Sequence, residues 1–172
     1  MRMNLTDVPV GDKAPEEVNV VIEITQGSSN KIEYDAKWGA FVLDRTLFSA
    51  MYYPCNYGFI PSTLFEDGDP LDVLVLTSHP VPMATVMTAR PVGVLRMHDD
   101  KGQDDKIICV FARDPRFADI RDINDLAEHQ KREILHFFEV YKDLEEKDVE
   151  VDGWQPARVA QELITKYTIS RE

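Results

Sequence analysis

The chain has 172 residues and a formal net charge of −12, because 19 Lys and Arg face 31 Asp and Glu. A chain of this length can bury a core without disulfides or a structural metal. Its longest uninterrupted apolar run, from Ile107 to Ala112, has six residues, whereas a membrane-spanning helix needs roughly 20. The acidic balance also disfavours a protein that binds nucleic acid through a basic surface.

The cysteines indicate the redox environment of the protein, and the absence of linkers indicates the number of domains. Cys55 and Cys109 are isolated and form no CxxC pair, so we do not expect a disulfide framework or a zinc site. A reducing, cytoplasmic environment is expected. No repeat or Ser/Gly-rich linker divides the sequence, so we expect residues 1–172 to form a single domain.

Short β-branched and apolar segments predict strands in the front half of the chain. These segments are Val18–Ile24, Ala40–Leu43, Leu71–Thr77, Val86–Met97 and Ile107–Ala112. Seven of the ten prolines lie from Pro54 to Pro115, which disfavours long helices there. Several short strands separated by turn residues favour a small closed or nearly closed β-barrel.

The back half of the chain shows helical spacing instead. One apolar face comprises Leu126, Ile134, Phe137, Phe138 and Tyr141. Asp122 or Asn124 is expected to cap this helix. A second helix is predicted after Pro156, with Val159, Leu163, Ile164 and Tyr167 on its apolar face. The expected fold class is therefore α+β and mainly β, a β-barrel with two flanking α-helices.

A dense acidic segment precedes one of the predicted strands. Glu66 to Asp72 holds four acids in seven residues, and the apolar run Val73–Leu76 follows directly. Asp72 should therefore lie at the mouth of a buried strand, where an unpaired carboxylate is costly. A hard divalent cation would offset that cost, because Mg²⁺ and Ca²⁺ bind oxygen ligands. An EF-hand fits poorly, since its loop needs Gly and Glu where this chain has Asp72 and Ser78. A plain acidic turn remains the alternative.

A second acidic cluster runs from Asp99 to Lys106 and joins two predicted strands. Lys101-Gly102 is interpreted as its hairpin turn. Asp99 and Asp104 flank that turn, and Asp104 shares a strand face with Lys106. By itself this is the pattern of a solvated hairpin tip.

The sequence also contains cations and phenols that could bind anions. Lys31 and Glu33 are two residues apart, Arg45 follows the Ala40–Leu43 strand, and Tyr141-Lys142 end the long helix. Each taken singly is typical of a surface ion pair or a core tyrosine.

Four segments together carry a resemblance to a known family. They are Val20–Ile24, Met51–Gly58, Asp67–Val75 and His136–Leu144. In this order, with the DGDPxD pattern at Asp67 to Asp72, they resemble the soluble inorganic pyrophosphatases of family I, bacterial type, over nearly the whole chain. The resemblance implies a five-stranded OB-type barrel with flanking helices, a homohexamer, and hydrolysis of pyrophosphate to two orthophosphates with several Mg²⁺ ions.

The resemblance also implies residue roles. The metal ligands would be Glu23, Asp67, Asp72, Asp99 and Asp104. Asp69 would be the base that helps to deprotonate the attacking water. The pyrophosphate-binding groups would be Lys31, Arg45, Tyr57, Tyr141 and Lys142. Glu33, Tyr53 and Lys106 match supporting positions. Asp100 stands where many members have Glu, and it is left outside this set.

The chemistry of these residue types agrees with the implied reaction. Ligands that are all carboxylates favour Mg²⁺, with Mn²⁺ as a possible substitute, over zinc. A metal-activated water held by a carboxylate cluster would supply the nucleophile that pyrophosphate hydrolysis lacks at neutral pH. Two alternatives remain: an OB-type nucleic-acid-binding module without catalysis, which needs a basic groove with exposed aromatics, and an inactive metal-binding scaffold.

Overall fold

The computed structural model describes residues 4–170, in which strands predominate. The strands are β1 (Val18–Ile24), β2 (Asn30–Asp35), β3 (Ala40–Thr46), β4 (Asn56–Ile60), β5 (Leu71–Leu76), β6 (Val86–Asp99), β7 (Gly102–Gln103), β8 (Lys106–Phe111) and β9 (Val149–Pro156). The helices are α1 (Glu128–Val140) and α2 (Ala157–Tyr167).

Five of the strands close into a hydrogen-bonded ring. The order is β1–β4–β5–β8–β6, and β6 pairs with β1 to complete the circuit. All of these pairings are antiparallel except β5 with β8. The long strand β6 also pairs with β7 and β9, while β2 and β3 form a separate hairpin sheet. The five-stranded ring and the two helices confirm the predicted fold class, which is α+β and mainly β.

The ring strands are buried on both faces, which explains their nearly continuous apolar sequences. Alternate residues of one strand enter two different clusters: Ile108 packs with α1 residues such as Phe137, whereas Ile107 packs with α2 residues such as Ile164. The core therefore lies on both sides of β5 and β8, and the cluster on one side includes residues of α1 while the cluster on the other includes residues of α2. This arrangement fixes the strand ends that carry the polar residues described below.

The start of α1 differs from the sequence prediction. The helix begins at Glu128 with Ala127 at its N-cap, so Leu126 precedes it, although Leu126 is still buried in the core. The capping prediction was wrong: Asp122 lies before a separate 3-10 turn, and its carboxylate accepts a hydrogen bond from Ala157 N–H, the first residue of α2. The backbone of the 3-10 turn separates Asp122 from the helix that it was expected to cap.

Four strands and one turn were not predicted correctly. The segments β2, β4 and β9 were not identified, because each mixes polar, glycine or charged residues with its apolar ones. The two-residue strand β7 was not identified either, because Gly102 was assigned to the turn. The hairpin turn lies one residue earlier than expected, since Asp99 pairs with Gly102 and leaves Asp100 and Lys101 at the turn. The Asp99 carboxylate accepts the Lys101 N–H at 2.9 Å, which stabilises that earlier turn. Across residues 4–170, the helices are too short or too polar to span a membrane.

Candidate active site

A cleft of about 460 Å³ opens beside the ring, where several strand ends meet. Its walls come from β1 and β2, the loop before β5, the β6–β8 connection and the end of α1. The predicted site residues that line it are Glu23, Lys31, Glu33, Tyr53, Tyr57, Asp67, Asp69, Asp72, Asp99, Asp104, Lys106, Tyr141 and Lys142. The fold thus gathers residues separated by more than one hundred positions, and the two acidic clusters face the same space.

The acidic segment forms a tight turn at the mouth of β5. Gly68 adopts a φ of +91°, a conformation that glycine tolerates and other residues rarely adopt. The Asp67 carboxylate accepts the Asp69 N–H at 3.0 Å, and Phe65 N–H donates to the Asp69 carbonyl at 2.7 Å. Burial and the nearby carboxylates of Asp67 and Asp72 raise the pKa of Asp69. A raised pKa suits a carboxylate that accepts a proton near neutral pH.

Lys106 offsets the negative charge at the floor of the cleft. Its Nζ lies 2.7 Å from Asp72 Oδ2 and 2.8 Å from Asp104 Oδ1, and its side chain is almost fully buried. Burial opposes its charge, but Asp72 and Asp104 keep the pKa of Lys106 well above its ordinary value. The cost expected for an unpaired Asp72 is therefore offset by this ammonium. Burial, with Asp72 nearby, still raises the pKa of Asp104.

Glu23 is a buried acid of the cleft whose pKa is strongly raised. It lies on β1, is 8% exposed, and accepts the Tyr34 N–H at 2.8 Å. Burial, with Asp72 and Glu33 nearby, raises its pKa to about 8. The neutral acid and the carboxylate are thus both accessible near neutral pH.

Three phenols form the apolar wall of the cleft. Tyr53, Tyr57 and Tyr141 are all buried, and burial raises the pKa of each hydroxyl. Tyr53 packs edge-on against Tyr57, and Phe137 stacks on Tyr141. These phenols therefore stay protonated at neutral pH and can donate hydrogen bonds to an anion.

Two further cations line the cleft, each beside an acid. Lys31 pairs with Glu33, and its Nζ lies 3.7 Å from Asp44. Lys142 lies 3.5 Å from Asp99, and burial lowers its pKa. The Lys101 N–H and the Lys142 ammonium lower the pKa of Asp99, and they outweigh burial, which would raise it. Lysines in such weak or shared pairs can turn to a phosphate with little reorganisation.

Arg45 is placed differently from the other predicted residues. It pairs across the hairpin with Lys31 but lies outside the cleft lining, and its guanidinium contacts Asp44 and Glu145. Glu145 is a nearly buried carboxylate in the turn after α1, with Nε of Arg45 at 2.9 Å. Arg45 therefore connects the β2–β3 hairpin to the segment that carries Tyr141 and Lys142.

Some residues that line the cleft were not anticipated from the sequence. They are Thr6, Ile24, Ile32, Tyr34, Phe59, Pro70, Lys101, Gln103 and Phe138. Lys101 and Gln103 belong to the acidic hairpin, so its position beside the cleft would have identified them. Thr6 and Tyr34 come from segments that carry no motif, so no pattern in the sequence pointed to them.

The donor set fits a hard divalent cation by its chemistry. Asp67, Asp72 and Asp104 offer oxygen ligands alone, which is the preference of Mg²⁺. Burial, with neighbouring carboxylates, raises the pKa values of Glu23, Asp69 and Asp104, and a nearby cation would favour their charged forms. Within residues 4–170, however, no three acidic, histidine or cysteine side chains are gathered closely enough to hold an ion together. The Lys106 ammonium lies between two of the acids.

The fold and the cleft together define a class of protein. Carboxylates suited to Mg²⁺ face lysines and protonated phenols suited to phosphate oxygens. This is the side-chain set of an enzyme that transfers or hydrolyses phosphoryl groups, rather than that of a nucleic-acid module.

Comparison with known proteins specifies the family. The family model described as inorganic pyrophosphatase matches residues 20–171. A pyrophosphatase of Thermus thermophilus is 54% identical over 164 residues, which cover 94% of each chain. One of Sulfolobus acidocaldarius is 50% identical over 157 residues, covering 90% of this chain and 91% of its own.

Solved structures agree with the sequence comparison. The crystal structure of the Thermus thermophilus pyrophosphatase superimposes with a TM-score of 0.94 at 51% identity, covering 96% of this chain and 97% of that one. The Helicobacter pylori enzyme gives 0.89 at 43% identity, covering 94% of this chain and 96% of its own. The chain belongs to the inorganic pyrophosphatase family.

Proposed function

We propose that this chain hydrolyses inorganic pyrophosphate to two orthophosphates in the cleft described above. The observation that carries the proposal is the convergence of the two acidic clusters with lysines and phenols at one set of strand ends. Family membership supplies the reaction, and this convergence supplies a site with the chemistry for it. The alternative of a nucleic-acid-binding module is not favoured, because acids predominate around the aromatic residues.

The carboxylates Glu23, Asp67, Asp72, Asp99 and Asp104 would hold the Mg²⁺ ions. When bound, such ions lower the pKa of water and neutralise charge on phosphate oxygens. To admit an ion between Asp72 and Asp104, the Lys106 ammonium would have to move away from one of them. Lys106 would then contact the substrate or the remaining acid, so we assign it a supporting role.

The remaining residues bind, orient and accept protons. Asp69, held at the turn by its own backbone contacts, would accept the proton of the attacking water. Lys31 and Lys142 would bind phosphate oxygens as point charges, and Tyr57 and Tyr141 would donate hydrogen bonds from protonated hydroxyls. Arg45 would present its planar fork once its contact with Asp44 opens. Glu33 and Tyr53 would orient Lys31 and the phenol wall.

Three statements about the whole protein also stand as proposals. We infer that residues 1–172 act as a single domain, since one family match, over residues 20–171, takes in nearly all of the ring and both helices. A homohexamer is supported by the family resemblance. A cytoplasmic location is supported by Cys55 and Cys109, which are both free and buried thiols.

The direct test is release of phosphate from pyrophosphate by the purified chain. We expect release with Mg²⁺, slower release with Mn²⁺, and none after EDTA. Asp72→Asn should reduce it strongly, whereas Asp114→Asn, at a carboxylate that pairs with Arg116 away from the cleft, should not. Phosphate release that is unchanged by EDTA would contradict the metal proposal, and no release under any condition would contradict the function.

A further inference from the structure

Asp105 is a buried acid that none of the roles above uses. It lies between Asp104 and Lys106 in the sequence, but it is 2% exposed and outside the cleft lining. Because side chains alternate along extended chain, Asp104 and Lys106 face the cleft while Asp105 points to the other side. A buried carboxylate is retained at low cost only where donors satisfy it.

Three donors from two segments satisfy the Asp105 carboxylate. Arg96 Nη1 on β6 lies 3.0 Å from Oδ2, and the Gln103 side-chain amide on β7 lies 2.6 Å from Oδ1. The backbone N–H of Met97 lies 3.4 Å from Oδ1. Asp105 therefore fastens the segment between β7 and β8 to the neighbouring strand β6.

This segment needs such fastening because it is irregular. Asp104 and Asp105 belong to neither β7 nor β8, and β6 is itself irregular between Arg96 and Met97. The Asp104 N–H donates to the Met97 carbonyl at 2.9 Å, and the Gln103 amide donates to the same carbonyl at 3.2 Å. The orientation of the Asp104 side chain thus depends on hydrogen bonds made by Met97 and Asp105, which hold the backbone on either side of it.

We propose that Asp105 is a positioning residue for the metal-binding carboxylate of Asp104 and for the Lys106 ammonium beside it. Through Arg96, Gln103 and Met97 it fixes the backbone that presents these two groups to the cleft. This inference rests on the proposed function, because Asp104 is a metal ligand only by that proposal. Asp105 does not touch the cleft and acts through its two neighbours.

Magnesium binding to metal-stripped, substrate-free protein tests the inference without turnover. Residues that orient metal ligands from behind typically change metal affinity 10–100-fold when replaced. We expect Asp105→Ala to weaken Mg²⁺ binding by about tenfold in calorimetry. Asp105→Asn keeps an oxygen that can accept from Gln103 and Met97, so it should retain more of the affinity, and it carries the test if the alanine variant does not fold.

A matched control separates positioning from general loss of stability. Arg90 lies on the same strand as Arg96, and its guanidinium donates to the carbonyls of Phe117 and Ile120 away from the cleft. Arg90→Met should lower the midpoint of thermal unfolding and leave Mg²⁺ affinity within twofold of the parent. Equal losses of affinity in Arg90→Met and Asp105→Ala would overturn the positioning role.

A double-mutant cycle with Asp104 decides how Asp105 acts. In an Asp104→Asn background, replacement of Asp105 should change Mg²⁺ affinity by less than twofold, because the ligand that it positions is already lost. The same tenfold loss in both backgrounds, or no loss in either, would overturn the inference alone. If Asp104→Asn binds Mg²⁺ like the parent, the ligand assignment itself is wrong and this inference fails with it.

Discussion

Lys106 explains how the acids of the cleft coexist in a partly buried site. Its ammonium donates hydrogen bonds to both Asp72 and Asp104, so the negative charges at the floor of the cleft are partly neutralised. Asp67 and Asp69, in contrast, lie in the Gly68 turn with exposed side chains, although partial burial of its carboxylate still raises the pKa of Asp69. Acids of the same cluster thus have different surroundings, which suggests separate tasks of binding a metal and moving a proton.

Substitution of two acids should separate these tasks. Asp72→Asn removes a proposed metal ligand, so excess Mg²⁺ should restore part of its activity. Asp69→Asn removes the proposed base, so activity should fall by about 10²–10⁴-fold and excess Mg²⁺ should not restore it. Phosphate release measured over a range of Mg²⁺ concentrations checks both. Equal rescue of the two variants would show that the assignment of Asp69 as base is wrong.

Glu23 should make the stability of the metal-free protein depend on pH. Its pKa is about 8 when folded and 4.5 ordinarily, so folding favours the protonated acid. The stability that the protonated Glu23 contributes is fully present below about pH 4.5. It falls as the pH rises above 4.5, where the unfolded chain ionises first, and is lost once the pH has passed through 8. Glu23→Gln should therefore gain stability relative to the parent between pH 5 and pH 8, by the order of a few kcal/mol.

Urea unfolding in EDTA at several pH values measures this difference. Glu16→Gln, which removes the same charge at an exposed position, is the matched control and should run parallel to the parent. A parallel profile for Glu23→Gln as well would mean that burial does not perturb Glu23.

At the level of elements, the contact between β1 and β4 is unusually close. Gly58 on β4 pairs with Ile22 on β1, and a Cβ at position 58 would lie 1.9 Å from the Val21 carbonyl oxygen. Backbone atoms cannot yield as a flexible side chain can. Since β1 carries Glu23 and β4 carries Tyr57, this approach sets the distance between two walls of the cleft.

Gly58→Ala should therefore damage both stability and catalysis. We expect a loss of about 3 kcal/mol in the free energy of unfolding, at the upper end for overpacking, and a lower rate of phosphate release. Gly27→Ala is the matched control: a Cβ there meets no atom within 4 Å, but φ is +88°. It should cost about 1–2 kcal/mol from backbone strain and leave the rate near the parent value. A Gly58→Ala variant as stable as the parent would contradict the close approach.

At the level of the whole molecule, negative charge predominates both overall and in the site. The proposed set contains seven carboxylates, counting Glu33, and four cations, counting Arg45. A polyanion should therefore be repelled until divalent ions reverse the balance. At a separation of about 4 Å, a pair of opposite charges is favourable by about 1 kcal/mol even in water, and a pair of like charges is unfavourable by the same amount.

Binding of methylenediphosphonate, an analogue that cannot be hydrolysed at its bridge, tests this expectation. We expect calorimetry to show affinity at least tenfold lower in EDTA than in Mg²⁺. Titration in NaCl at matched ionic strength controls for screening of the charges. Equal affinity with and without Mg²⁺ would show that the cations of the chain suffice.

The sequence determined the elements whose pattern is local. The apolar segment Val18–Ile24 was identified with its final bounds, and the apolar spacing of Ile134, Phe137 and Phe138 correctly predicted the helical face that is buried. The Glu66–Asp72 segment was identified as a candidate site because its four acids come directly before the apolar run Val73–Leu76. Hydrophobic periodicity and turn chemistry act over a few residues, so they can be read without the fold.

Only the tertiary structure decided which residues meet. The sequence could not show that the Asp99–Lys106 hairpin faces the Asp67–Asp72 turn, that Lys106 neutralises Asp72, or that Arg45 turns to Glu145. These contacts depend on closure of the ring, which brings β5, β6 and β8 together from distant parts of the chain. Burial and charge at such a junction are properties of the whole fold, and so are the raised pKa values of Glu23 and Asp69.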